Sequence, residues 1–194
     1  MKIFVFAFAL FTLVAHGAPG TAQVATIVTA RDVKIDKIMP AVVSPPQFQV
    51  TGAEQKRVPL MKWFEIEVDF DVKNVDLVDE LTFKYDVLIN GKLCPGEITH
   101  INIPKGANHY SVMYISPRNL DRITAGKPLN PAMIENIWVT ISRQGQILFV
   151  SSHKGKNIPI PNLPQMPGML LPKSETPFQV LWWDRYEAVK VPVR

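Results

Sequence analysis

Trp63-Phe64-Glu65-Ile66-Glu67-Val68-Asp69-Phe70-Asp71-Val72 alternates without a fault. Phe64, Ile66, Val68, Phe70 and Val72 fall on one side; Trp63, Glu65, Glu67, Asp69 and Asp71 fall on the other. Successive side chains of an extended chain point to opposite faces, so this period of two predicts a strand from Lys62 to Lys73 with one face in a core. A helix would scatter the same apolar residues around its circumference. The acids stand in a row roughly 6–7 Å apart on such a strand, whereas calcium needs acids converging from a bent loop. They read as a charged, solvated outer face that discourages sheet-to-sheet association; an acidic stripe for a basic partner is the alternative.

The same alternation runs through Leu81, Phe83, Tyr85, Val87 and Ile89, and Asn90-Gly91 follows. Both positions of that dipeptide accept positive φ, which makes it the strongest short hairpin signal. Pairing across it sets Ile89 opposite Lys92, Leu88 opposite Leu93 and Val87 opposite Cys94, so Cys94 points inward. Pro95-Gly96 is expected to bulge or break the pairing, with the strand resuming over Glu97 to Ile103. Pro104-Lys105-Gly106 reads as a turn before a strand from His109 to Ile115. Ser116 and Pro117 suit the cap and first residue of a short helix over Arg118 to Ile123. Ile134 to Ser142 and Gln146 to Ser152 form a second hairpin around Gln144-Gly145. Its inward pairs are Ile141 with Leu148 and Val139 with Val150, leaving Trp138, Ile147 and Phe149 on an outer face too apolar to stay wet without a reason. Upstream, Val33 to Val43 is strand-like but interrupted at Pro40, and Gln47 to Val50 is a further short strand.

About seven short strands, two hairpins and frequent turn signals predict an all-β, immunoglobulin-like antiparallel β-sandwich with a short crossover helix. A jelly roll or fibronectin-type sandwich is the alternative, and the Cys-Trp-Cys signature of antibody domains is absent.

At the N-terminus, Lys2 precedes an apolar run from Ile3 to Val14, followed by small residues with cleavage after Gly17 or Ala22. That order defines a secretory signal over 1–22, and the run is short for a bilayer span. The sandwich then occupies 23–155, and a Pro-rich extension occupies 156–194. A type IV prepilin carries a polar leader before its apolar helix and a glutamate near the helix start; here the apolar run starts at residue 3 and holds no acid. Export to the periplasm, outer-membrane surface or exterior follows, with no membrane span after signal removal. Cys94 has no second cysteine to pair with; it reads as a buried apolar residue, with pairing to another chain as the alternative.

The formal charge of +4 includes Lys2, which leaves about +3 after cleavage, and no Lys/Arg run with interleaved aromatics appears. Nucleic acid is not an expected partner. No Gly-x-Ser-x-Gly, phosphate-binding glycine loop or zinc-spaced His set is present. No catalytic residue, cofactor or metal is expected, and the protein does not read as an enzyme. The extension carries prolines at 159, 161, 164, 167, 172 and 177, a composition that favours extended geometry. It ends in Phe178, Leu181, Trp182, Tyr186 and Val189 at helical spacing, which predicts a terminal helix, with a final strand as the alternative. Its aromatics would cover the apolar face of the last hairpin. The candidate interaction residues are therefore Trp138, Ile147, Phe149, Phe178, Leu181, Trp182 and Trp183. They serve a protein partner or self-assembly in the envelope; a glycan stacked on Trp182 and Trp183 is the alternative.

Trp63-Phe64-Glu65-Ile66-Glu67-Val68 and Pro177-Phe178-Gln179-Val180-Leu181-Trp182-Trp183-Asp184-Arg185-Tyr186-Glu187, together with the order of signal, sandwich and Pro-rich tail, resemble a small family of secreted Ig-like proteins. These are encoded beside type IV pilus genes in mucin-dwelling gut bacteria. The resemblance covers the exported chain and implies a pilus-associated or pilin-like role at the outer membrane or outside the cell. It implies no catalytic or ligand residue.

Overall fold

The computed structural model describes residues 27–48, 51–52, 61–155 and 159–191. The predicted signal lies outside them, as does the end of the predicted Gln47–Val50 strand. Six strands form one antiparallel sheet: β1 (Val33–Val43), β2 (Trp63–Ile89), β3 (Lys92–Ile115), β4 (Ile134–Arg143), β5 (Gln146–Ser152) and β6 (Leu170–Pro172). One helix, α1 (Pro117–Thr124), connects β3 to β4.

Among the described residues the strands number six, and two of them are long and turn a corner. β1 pairs with the first half of β2, β4 with the second half, and β3 with both. The β2–β3 register shifts between Phe70 and Leu77, opposite Pro104 to Gly106. Pro104-Lys105-Gly106 is thus a corner within β3, where a turn was expected. Asn74, Asn102 and Asn108 stand at these corners with φ of 62°, 55° and 63°, a region asparagine enters more readily than most residues. Folding at the corners brings the two apolar faces together. Phe70 and Phe83, from either side of the bend, have ring centroids 4.8 Å apart, and one core runs from Ile35 and Phe64 to Ile137 and Leu148. Helix α1 adds buried Leu120 and Ile123, and the Ser116 hydroxyl accepts from the Asn119 amide at 3.2 Å as the cap.

The Asn90-Gly91 hairpin has the predicted register, with φ of 50° and 70°. Cys94 is fully buried, and burial pushes its thiol up to about 11. A thiol so placed is inert while the sandwich is folded. Pairing does not break at Pro95-Gly96: Asp86 faces Pro95 and Tyr85 faces Gly96. Glycine is needed there because a Cβ would lie 2.6 Å from the Leu170 Cβ as β6 crosses it. Gly96→Ala is expected to cost about 2 kcal/mol by forcing β6 outward, read as a lower urea midpoint. Nor does Pro40 interrupt β1, where it pairs with Ile66; an edge strand tolerates the missing N–H.

The second hairpin slips by one residue. A bulge between Ile141 and Ser142 pairs Ile141 with Phe149 and Thr140 with Val150. Phe149 therefore packs on the core beside buried Leu148, while Ile147 and Val150 are exposed. The expected Ile141–Leu148 and Val139–Val150 pairs do not form, because a single inserted residue exchanges the faces.

Candidate functional site

The extension is a strap along the outer edge of β3. Leu163 packs on Leu88, Leu93 and Trp138, which is how Trp138 is buried. The Met166 amide donates to the Leu93 carbonyl at 2.8 Å, β6 pairs with Met113 to Ile115, and a single 3-10 turn follows at Lys173–Glu175. Further on, Ile101 donates to the Ala188 carbonyl at 2.9 Å and Lys190 to the Thr99 carbonyl at 2.8 Å. The predicted terminal helix is absent; turns replace it, with Trp182 at a left-handed φ of 50°. The apolar positions keep helical spacing but face two different surfaces. The final-strand alternative survives as the bridge between His100 and Val189.

The aromatic part of the strap covers the acidic row; on the outer face of the last hairpin Trp138 is covered, by Leu163, and Ile147 stays exposed. Phe178 stacks on Tyr114 at 4.7 Å between centroids, meets the edge of Trp63 at 5.8 Å, and carries Trp182 on its other face at 6.2 Å. Arg185 grips Glu67 with two bonds of 2.8 and 2.6 Å, and the Tyr186 hydroxyl donates to the same carboxylate at 2.8 Å. The Arg185 guanidinium also lies 3.8 Å from the Tyr110 ring centroid. Burial alone would raise Glu67, but Arg185 and Tyr186 hold it below the usual carboxylate range. Burial pushes Glu65 and Asp69 upward. The reading of this row as a solvated face is thus corrected: its partner is an arginine of the same chain.

A buried polar chain fixes the strap to the core. The Tyr85 hydroxyl donates to Ser111 Oγ at 2.7 Å, and Ser111 Oγ lies 2.7 Å from His100 Nε2. His100 Nδ1 lies 3.2 Å from the Glu187 carbonyl. Since that carbonyl only accepts, Nδ1 carries the proton and Nε2 accepts from Ser111. Burial lowers His100 to about 4. Beside it, His109 Nδ1 contacts Glu187 Oε1 at 2.6 Å.

The three sheet edges differ. The β3 edge is covered by the strap. The β1 edge carries Lys34, Asp36, Lys37 and Pro40, the residues that blunt an edge against strand addition. The β5 edge carries neither charge nor proline over Gln146–Ser152; among the described residues β5 pairs with β4 alone and runs beside β1 without pairing, where His153 Nδ1 lies 3.0 Å from the Ile38 carbonyl. Ile147 and Val150 on it are 63% and 53% exposed. The seven candidate residues therefore separate. Trp138 and Phe178 are buried, Phe149 and Leu181 are partly buried, and the exposed ones lie in two places: Ile147 on β5, Trp182 and Trp183 on the strap. Sequence reading missed Arg185, Tyr186 and His100, whose partners are distant in the chain.

A family model matches residues 25–193. The chain belongs to that family. It is the family of a pilus-associated extracellular protein of Akkermansia. A crystal structure from Akkermansia muciniphila is similar, with 25% identity and a TM-score of 0.72, covering 84% of this chain and 94% of that one. No curated protein matches.

Proposed function

We propose that this family member is an exported, non-enzymatic protein that serves a pilus through protein–protein contacts, with the β5 edge as its contact surface. The observation that carries the reading is the contrast between edges: two are covered or blunted, and β5 offers an uncharged strand with Ile147 and Val150 exposed. A strand of that composition suits addition of a partner strand, in which main-chain bonds give affinity and alternate side chains give selectivity. Export from the cell follows the predicted signal over 1–22. The non-enzymatic reading is supported by the Ser111–His100 pair, which resembles a serine nucleophile and its base but has a fully buried serine and both imidazole nitrogens engaged.

A photo-crosslinker at Gln146, in cells carrying the pilus, tests the surface. The expected result is an adduct with a pilus component, reduced about tenfold or more by Ile147→Lys, because burying an unpaired ammonium costs more than the free energy of a factor of ten. Ile147 is exposed, so the variant folds. Adducts that are absent, or insensitive to Ile147→Lys, overturn the assignment.

A further inference from the structure

The two segments that cover the β3 edge leave a groove between them. Pro172 to Glu175 forms one wall and Ala188 to Val191 the other. Its inner cavity is about 340 Å³ and its outer one about 540 Å³; they share Ile98, Ser174 and Val189 and so run into each other. The inner floor is Ile98, Val112 and the His100 ring, whose nitrogens are both occupied. The floor is therefore apolar.

The rim is different in kind. Trp183 stands at the mouth, 78% exposed. It is held there by Trp182, whose left-handed φ of 50° is a conformation that a bulky residue keeps only under constraint. That turn lays the Trp182 ring back on Phe178, nearly parallel at 13°, and leaves its neighbour facing out. Among the described residues, the Ser174 hydroxyl and the Gln179 side-chain amide have no hydrogen-bond partner. Lys173 Nζ lies over the Tyr186 ring, 5.3 Å from its centroid, and gives one hydrogen bond, to the Gln179 carbonyl at 3.2 Å; an ammonium has three to give.

An added peptide strand finds no footing here, because the Thr99 carbonyl and the Ile101 amide are taken by Lys190 and Ala188. What suits an exposed indole, an apolar floor, a free hydroxyl and amide, and an ammonium with donors to spare is a ligand with a flat C–H face and a rim of hydroxyls. We propose that the groove binds a saccharide: one pyranose ring in the inner cavity, its C–H face on Trp183 and its hydroxyls on Ser174, Gln179 and Lys173, with the next ring in the outer cavity. The site is on a different surface from the β5 edge, so each proposal can fail alone.

The test is calorimetric titration of the exported chain with lactose and with cellotetraose, each to about 10 mM, the range in which a weak single-ring site saturates. Saturable binding of either sugar is expected, with Trp183→Ala weaker by about tenfold or more and Ile147→Lys unchanged. Trp183 is exposed, so its loss does not threaten the fold. Failure of both sugars to saturate overturns the proposal, as does equal binding by Trp183→Ala. Saturation by an apolar peptide where neither sugar binds overturns it as well.

Discussion

Phe178→Ala is expected to release the strap from Lys173 to Lys190 while the sandwich stays folded. Phe178 is 1% exposed and is the middle ring of the Tyr114–Phe178–Trp182 stack. Truncating a buried phenylalanine costs about 3–5 kcal/mol. Nothing else in this part of the strap compensates for such a loss. The Arg185–Glu67 pair has its arginine side chain 41% exposed, where solvent screens the attraction. The remaining main-chain ties are the Glu187 amide on the Tyr110 carbonyl at 3.3 Å and the short bridge around Ala188 and Lys190. The core of the sandwich does not use Phe178, which belongs to a separate cluster with Val112 and Tyr114. The cost therefore falls on local opening. Hydrogen exchange and proteolysis should rise within 173–190, while amides of β2, β3 and β4 facing the core keep their protection. β6 should stay docked, since Leu170 lies in the main core. Uniform loss of protection across the sheet would contradict this division. Since the strap forms a wall of the groove, Phe178→Ala should also abolish sugar binding without touching capture at β5.

The features legible in the sequence are those decided within a few residues. Alternation placed Phe64 to Val72 on one face, Asn90-Gly91 fixed its hairpin and register, and Ser116-Pro117 started the helix. The corners were misread because Pro104-Lys105-Gly106 has turn composition; the asparagines at 74, 102 and 108 were the available signal, since each adopts positive φ without ending the strand. The slip in the second hairpin comes from one extra residue between the Ser142–Ile147 and Ile141–Phe149 pairs, which no local pattern records. The acidic row was misjudged for a reason of distance. Strand alternation says that Glu67 faces away from the core, but not whether water or an arginine waits there, and Arg185 is 118 residues away in the chain. Helical spacing from Phe178 to Val189 misled because a strap with two faces, one on Tyr114 and one toward solvent, repeats its apolar residues much as a helix does.

Acid should loosen the same strap through His100. Its imidazole is held neutral by burial, with a pKa lowered from 6.5 to about 4. In the unfolded chain it titrates near 6.5. Between those values the unfolded chain binds a proton that the folded one does not, so stability falls as pH drops through the window. The contribution is fully present above about pH 6.5 and exhausted below about pH 4, and the interval corresponds to roughly 3 kcal/mol. Glu67 adds to the loss at lower pH: its carboxyl is held below the ordinary range, so its stabilisation disappears as it is protonated. Glu65 and Asp69 act in the opposite sense, because burial raises them and the folded state then takes up protons first. The His100 contribution is therefore separated from theirs by following its own imidazole. The proton cannot be accepted in place. Nε2 takes its hydrogen bond from Ser111, itself held by Tyr85, and Nδ1 already donates to the Glu187 carbonyl. Charging the ring takes away the acceptor of the Ser111 hydroxyl hydrogen and places a cation inside the core. The strap is thus expected to open at Glu187 before the sheet does. Urea midpoints from pH 7 to 4, with the His100 imidazole followed by NMR, measure both parts. A midpoint that is flat from pH 7 to 5, or a His100 ring that titrates near 6.5 in the folded protein, would break the link between the buried chain and the strap.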